Sequence, residues 1–413
     1  MILMIALFPG AHASDPRVIR VRLERVAGKA VAGGDGGNQW GGHQCRIVET
    51  EDGIFTAYTR GGKDHFKRRW HLMQRFETGW KQIASEESGR EPVNLMAGPD
   101  GTLYIAGWPE YRGTLWCGKP SNGRVEFRRE DIPAVYVGSH PYNSAAIDSC
   151  GNIVVLSSVE DSDNHARFQW AYRNASTGEW TGRISFLDYR HCYTYIFPHQ
   201  DGSIRLVSTR DVRWETLNYV QPPGTFAYVF NAYRYWIAED FEEPLRELAF
   251  SEEKPTQEFP FVECRALNDV FEDSEGNMHV LYTRRGLTTT GERVRFHAVY
   301  GKEGDEIYHS KLHCQAGSFA RVFQDSYDRF LLLNDTGMLY LLEDSGYMAV
   351  DSVQIDLGSY AVNYSGFGLS VPRTGSVFSG CMHVVFPSGN GKQVVYFCLK
   401  PEDIFPDEKA KNE

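Results

Sequence analysis

The sequence predicts an all-β protein, a seven-bladed β-propeller of four-stranded antiparallel blades whose ring is closed by an N-terminal strand. Three observations predict it. First, an apolar strand, a tight turn often built on Asp-Gly and a second apolar strand recur as IVETEDGIFTAY, LMAGPDGTLYIA, AIDSCGNIVVLS, IFPHQDGSIRLVS, VFEDSEGNMHVLY, VFQDSYDRFLLL and LSVPRTGSVFSG. The turn positions Gly53, Gly101, Gly151, Gly202, Gly276, Arg329 and Gly375 are about fifty residues apart, with one longer interval, which is the period of a propeller blade. Second, 40 Gly, 24 Phe, 22 Tyr and 9 Trp in 413 residues favour turn-rich β structure, and no helical period persists. Third, a strand-like alternation, I-R-V-R-L, lies within residues 16–28 before the first repeat, while the seventh repeat runs out near Leu399 after three strands.

The chain divides accordingly. Residues 1–15 form an apolar leader ending in Ala11-His12-Ala13, which resembles a secretory h-region and cleavage site but lacks a basic n-region. Residues 16–400 form one propeller, and residues 401–413 a polar C-terminal tail. Most repeats carry a second hairpin, as in WHLMQRFETGWKQIA and FQWAYRNASTGEWTGRI, which supplies the third and fourth strands. Between the fourth and fifth turns lies a Pro-Pro-Gly loop, RWETLNYVQPPGTF, placed to wall the site with Trp214 and Tyr219. The eight cysteines are scattered without CxxC pairs and read as reduced small side chains, which favours a cytoplasmic location; a working leader would export the chain instead.

Charge and site composition narrow the function. The 43 basic and 54 acidic side chains give a net charge of −11, which argues against nucleic acid or an anionic membrane as partner and requires a local basic site for any anionic ligand. That site is read from the 188–214 stretch, a hairpin that sets Tyr189, Arg190, His191 and Tyr193 beside Arg210. In a propeller, the starts of inner strands and the ends of second strands share one face. Strand starts bring His43, Glu91, His140, Tyr142, Asn143, Arg190, His191, Tyr193, Arg265 and Arg321 there, and strand ends bring Arg60, Trp108, Arg210 and Arg284. An acidic protein that gathers Arg, His and Tyr at one end of its axis has the makings of an anion site with proton-transfer groups. His309, His313 and Cys314, with Cys192 or Cys264, are the alternative of a structural zinc; their spacing matches no compact zinc motif, so no metal ligand is assigned and no cofactor is required. No phosphate loop, GxSxG elbow or sialidase-type Asp box is present.

The seven-repeat layout with GGHQCRIV, HPYNSA, YRHCYTY and STRDV resembles the seven-bladed carbohydrate enzymes related to ulvan lyases and rhamnosyl-glucuronate lyases, whose sister group includes rhamnosidases. The resemblance implies an anionic oligo- or polysaccharide substrate cleaved by β-elimination next to a uronic acid. It also implies His140 and Tyr193 as proton-transfer pair and Arg210 as the carboxylate fork. His43 stands in reserve for proton transfer and Arg190 for the carboxylate. Two other classes fit the same face: a propeller glycoside hydrolase, which would need carboxylates such as Glu91, Asp211 or Glu263, and a glycan-binding propeller without turnover.

Overall fold

The computed structural model describes residues 16–28, 42–61, 64, 67–136, 142–160, 166–254, 261–286, 293–312, 319–343, 349–360, 369–376, 379–388 and 392–406. Seven antiparallel sheets follow one another along the chain, and the first five span residues 47–87, 94–136, 144–187, 191–252 and 261–311 with four main strands each. The inner strands are almost wholly buried, as in Asn94–Ala97 and Ser144–Ile147. At their far ends the Asp of the repeated turn caps the backbone: Asp148 Oδ1 accepts the N–H groups of Cys150 (2.9 Å) and Asn152 (2.8 Å), and Asp273 and Asp325 do the same in the fifth and sixth blades. This side-chain capping is why the turn signal was legible.

The N-terminal segment serves two blades. β1 (Arg17–Arg20) pairs in parallel with Ala349–Asp356 as a fifth strand of blade six, and β2 (Glu24–Ala27) pairs antiparallel with Gln393–Leu399 as the outer strand of blade seven. Glu24 then reaches across the joint to blade one. Its two oxygens accept from Arg75 Nε and Nη2, both at 2.9 Å, and Oε2 also accepts from Trp80 Nε1 at 3.1 Å. The hydrogen-bonded Arg75 guanidinium, against a smaller burial cost, holds the Glu24 carboxyl below its usual range. The same device joins blades two and three, where Glu130 accepts from Arg173 (2.9 and 3.1 Å) and Trp180 (3.2 Å).

Between blades the faces interlock through large apolar side chains. Trp70 of blade one meets Trp116 of blade two edge-on at 5.4 Å, and Phe168 of blade three meets Trp236 of blade four at 5.7 Å. Residues 372–376, leading into the seventh blade, cross the turn end of the axis. Thr374 Oγ1 donates to the Ile147 carbonyl (3.1 Å), Ser376 Oγ accepts from Glu49 N (2.8 Å), and Arg373 donates to Asp269 (2.6 Å). Gly375 is required in this crossing: its φ is +69°, and a Cβ there would lie 1.9 Å from the Ala97 carbonyl oxygen. The tail begins differently from its polar composition. Residues 401–406 open with a short helix, Pro401–Ile404, and bury Ile404 and Phe405 against the blade six and seven cluster, while Arg17 donates to the Ile404 carbonyl.

Removing residues 1–30 should therefore open the ring, lowering the thermal midpoint of the whole cooperative transition. An unchanged midpoint would mean that β2 is dispensable. Glu24→Ala alone should cost about 2 kcal/mol, the scale for hydrogen bonds to a charged group, measured by urea unfolding.

Candidate active site

The entry face of blades one to four holds one connected polar cluster. Glu91, buried at the start of blade two, accepts the backbone N–H groups of Tyr142 (3.1 Å) and Asn143 (3.0 Å). The Asn143 carbonyl accepts in turn from His43 Nε2 and Gln44 Nε2, both at 2.9 Å. These bonds pin Tyr142 in the left-handed region at φ 43°, and the irregularity between Cys192 and Tyr195 places Tyr193 there at φ 53°. Such backbone costs on the order of 1–3 kcal/mol per non-glycine residue and is held only where the surroundings over-determine it. The two strained tyrosines touch edge-on with centroids 4.9 Å apart, and Tyr193 also lies near the His43 ring at 5.5 Å and Phe230 at 6.2 Å.

Protonation follows from burial. A carbonyl only accepts, so His43 carries its proton on Nε2, and Nδ1 is a bare lone pair with no hydrogen-bond partner among the described residues. Burial, seconded by repulsion from Arg321, outweighs the Asn143 bond and lowers the His43 pKa to about 3, so the ring is neutral at physiological pH. Burial also pushes the Tyr193 phenol well above its ordinary value, with Tyr142, Cys192, Asp211 and Glu91 adding to the effect. Tyr193 is therefore protonated at physiological pH. Arg190 ion-pairs with Asp211 and lies over the rings of Tyr142 (5.3 Å) and Tyr228 (5.1 Å). Burial raises the Asp211 carboxyl despite Arg190 and bonds from Cys192 and Tyr142.

Beneath His43 the axis narrows to a cavity of about 50 Å³ bordered by Gln44, Tyr195, Asp269, Arg321 and Arg373, with Thr374 of the crossing segment among its lining residues. Arg321 binds blades together here, donating to the carbonyls of Leu369 (2.7 Å) and Asn268 (2.7 Å) and pairing with Asp269 (3.2 Å).

The structure brings His43, Tyr142, Asn143, Arg190 and Tyr193 together. It turns others away. Arg210 is buried within blade four, bonded to Asn231 Oδ1 (3.1 and 2.8 Å) and Glu252, so its fork is already occupied and cannot serve as the expected carboxylate clamp. His191 packs fully buried on Trp236 at 4.9 Å. Trp108 lies in the core between blades two and three. Trp214 is likewise no stacking platform: it centres a small core with Val212 and Val229, Tyr219 packs on it, and its Nε1 donates to the Phe226 carbonyl (2.9 Å). Arg265 and Arg284 share Glu253 at the rim, and Arg60 pairs across strands with Arg69. His140 lies outside the described residues, as do His313 and Cys314. His309 bonds Tyr282, and among the described residues no three His, Cys, Asp or Glu side chains gather for a metal.

Two contributions were missed in the sequence. Glu91 was read as a carboxylate of a hydrolase pair, whereas it holds the Tyr142-Asn143 backbone. Phe230 was not singled out, although F-A-Y-V-F at 226–230 alternates aromatic residues as a strand would.

This defines a seven-bladed β-propeller with a strained Tyr-Tyr-His cluster on its strand-entry face. No protein-family model and no curated protein matches the chain. Among solved structures it is similar to an α-L-arabinanase of Penicillium chrysogenum complexed with arabinobiose, at 10% identity over 75% of this chain and 94% of that one, with a TM-score of 0.45. It is also similar to the Fusarium graminearum α-L-arabinofuranosidase Arb93A, at 9% identity over 92% and 99% of the two chains with a TM-score of 0.46. Saccharomyces cerevisiae Sqt1 matches at 9% identity over 93% and 99%, with a TM-score of 0.45. The first two are glycoside hydrolases by name, and the likeness of all three is one of fold alone.

Buried neutral histidines make a pH prediction. His43 and His191 both have pKa values near 3 in the fold against 6.5 outside it, so the unfolded chain binds more protons between those values. Stability is then fully present above 6.5 and falls as pH drops toward about 3. Urea unfolding across this window should show that fall, and His191→Leu should flatten it; an unaltered slope in the variant would remove His191 from the effect.

Proposed function

We propose that the protein is a carbohydrate-active enzyme that cleaves a glycosidic bond on the strand-entry face, with His43 as base and Tyr193 as acid. The observation that carries this reading is the meeting of a neutral imidazole, its Nδ1 bare, with a protonated tyrosine on strained backbone, ring centroids 5.5 Å apart. A propeller that only bound glycans would gain nothing from holding two tyrosines at positive φ, whereas proton transfer gains from fixed donors and acceptors.

Elimination needs little more than this pair. His43 Nδ1, buried until substrate opens the cluster, would remove the proton α to a uronate carboxylate; the electron pair then forms the new carbon–carbon double bond, the glycosidic C–O bond breaks, and the Tyr193 hydroxyl protonates the departing oxygen. Arg190, stacked on Tyr142 and ion-paired with Asp211, would take the carboxylate role expected of Arg210 by exchanging Asp211 for the substrate's carboxylate. A uronate-bearing glycan is therefore the substrate class, and no cofactor enters. Hydrolysis is the second reading, and one observation favours it: Asp211, bonded by Tyr142, has its carboxyl raised by burial, as a general acid requires.

Incubation with uronate-containing and neutral oligosaccharides separates the two. New far-ultraviolet absorbance from an unsaturated sugar identifies elimination; reducing ends without it identify hydrolysis. Tyr193→Phe and His43→Gln should each lower turnover by about 100-fold or more with the thermal midpoint retained. Near-normal turnover in Tyr193→Phe would end the proposed pair.

A further inference from the structure

The consecutive residues His43 and Gln44 direct their donors at one acceptor. The Asn143 carbonyl takes hydrogen bonds from His43 Nε2 and Gln44 Nε2, both at 2.9 Å, one for each of its lone pairs. Because a carbonyl cannot donate, this fixes both side chains: the imidazole proton sits on Nε2, and the carboxamide turns its NH2 group to Asn143 and its oxygen away. Two acceptors remain, His43 Nδ1 and Gln44 Oε1, both buried and neither meeting a donor among the described residues. Gln44 is 3% exposed, so bulk solvent does not satisfy it.

Both side chains border the axial cavity of about 50 Å³. The donors on the same wall are bonded to other groups. Tyr195 donates to the Asn268 carbonyl (3.2 Å), Thr374 to the Ile147 carbonyl (3.1 Å), Arg321 to the Leu369 and Asn268 carbonyls, and Arg373 to Asp269 and the Val322 carbonyl. An occupant that pairs with His43 and Gln44 must therefore bring its own hydrogens. Arg321 and Arg373 outnumber Asp269 on the wall, which opposes a cation, and an anion would set its lone pairs against those of the two acceptors. A small neutral donor fits. One water needs about 10–15 Å³ of such space and two or more polar partners, so the cavity is roomy and polar enough for water.

We propose that the axial cavity is a water site in which Gln44 Oε1 positions a water against His43 Nδ1, and that His43 acts as base through this water. The water gives a hydrogen to Nδ1 as its oxygen takes the proton from the substrate carbon; one O–H bond breaks as another forms, and the water leaves the step unchanged. A one-water bridge extends the reach of a buried base, at little loss compared with a direct hydrogen bond. The water site stands on the cavity and its two bare acceptors, whereas the base role rests on the proposed function.

A crystal structure of the wild-type protein that resolves ordered water tests the site. Density within hydrogen-bond distance of both His43 Nδ1 and Gln44 Oε1 is the expected result; a dry cavity, or water that reaches only one of the two atoms or neither, overturns the site, and this holds even if no variant folds. Gln44→Met keeps the length of the side chain and removes the acceptor. Its nitrogen-15 NMR spectrum should show the His43 Nδ1 resonance moved toward that of an unbonded lone pair, and an unmoved resonance removes Gln44 as the positioning residue. On a uronate oligosaccharide that the wild type cleaves, Gln44→Met should lower kcat about tenfold at unchanged KM. An unchanged kcat in a variant that has lost the water overturns the base role and leaves the proposed function standing. If the wild type cleaves none of these glycans, the proposed function and the base role fall together, and the crystal structure alone decides the water site.

Discussion

A ring of sheets is held by its weakest joint, because the faces of each blade pack on those of its two neighbours. Here that joint is closed by borrowing: the outer strand of the last blade comes from the N-terminus, and Glu24 on it forms a forked pair with Arg75 of the first blade. The side chain of Glu24 is 10% exposed, so the pair works in partial shelter from water, where charge-assisted bonds exceed the small contribution of surface ion pairs. Its recurrence as Glu130 with Arg173 and Trp180 shows one inter-blade device used twice. The crossing of residues 372–376 adds a second closure, tying the seventh blade to blades one, three and five through main-chain and side-chain bonds at the axis.

Closure matters for the site because the site belongs to no single blade. Glu91 of blade two holds the Tyr142-Asn143 backbone of blade three, and that backbone holds His43 of the segment entering blade one. Strain in Tyr142 and Tyr193 persists because the blades fix the strand entries on either side of them. A ring that breathed would let both residues relax to ordinary dihedrals at a gain of about 1–3 kcal/mol each.

The fold was legible because its signals are periodic. Alternating apolar strands, Asp-capped turns and the surplus N-terminal strand each follow from local chemistry, so the repeat count and the ring closure could be read directly. The site was legible only as a face. That Arg190, His191, Tyr193 and Arg210 share one end of a hairpin follows from pairing, and His191 does pair with Arg210. Which way each side chain turns does not follow, because a bulge reverses the alternation and a strand-end residue can turn inward to a buried partner, as Arg210 does to Asn231 and Glu252. Trp214 misled for a related reason: an aromatic residue in a long loop can be the loop's own core, as Trp214 is with Val212 and Val229.

The axis connects stability to chemistry. Arg321 ties blades five to seven through the Asn268 and Leu369 carbonyls and Asp269, while Arg373 shares the same carboxylate from the opposite oxygen. Burial first, and the nearness of Arg321 second, lower the Arg46 guanidinium to about 10. Buried Arg321 and half-buried Arg373 share Asp269, and desolvation, helped by the nearness of Arg321, keeps the His43 imidazole deprotonated. The Arg321 guanidinium that fastens the ring from within thus also helps hold His43 neutral, so a substitution that loosens the axis should alter the protonation of the site along with the stability of the fold.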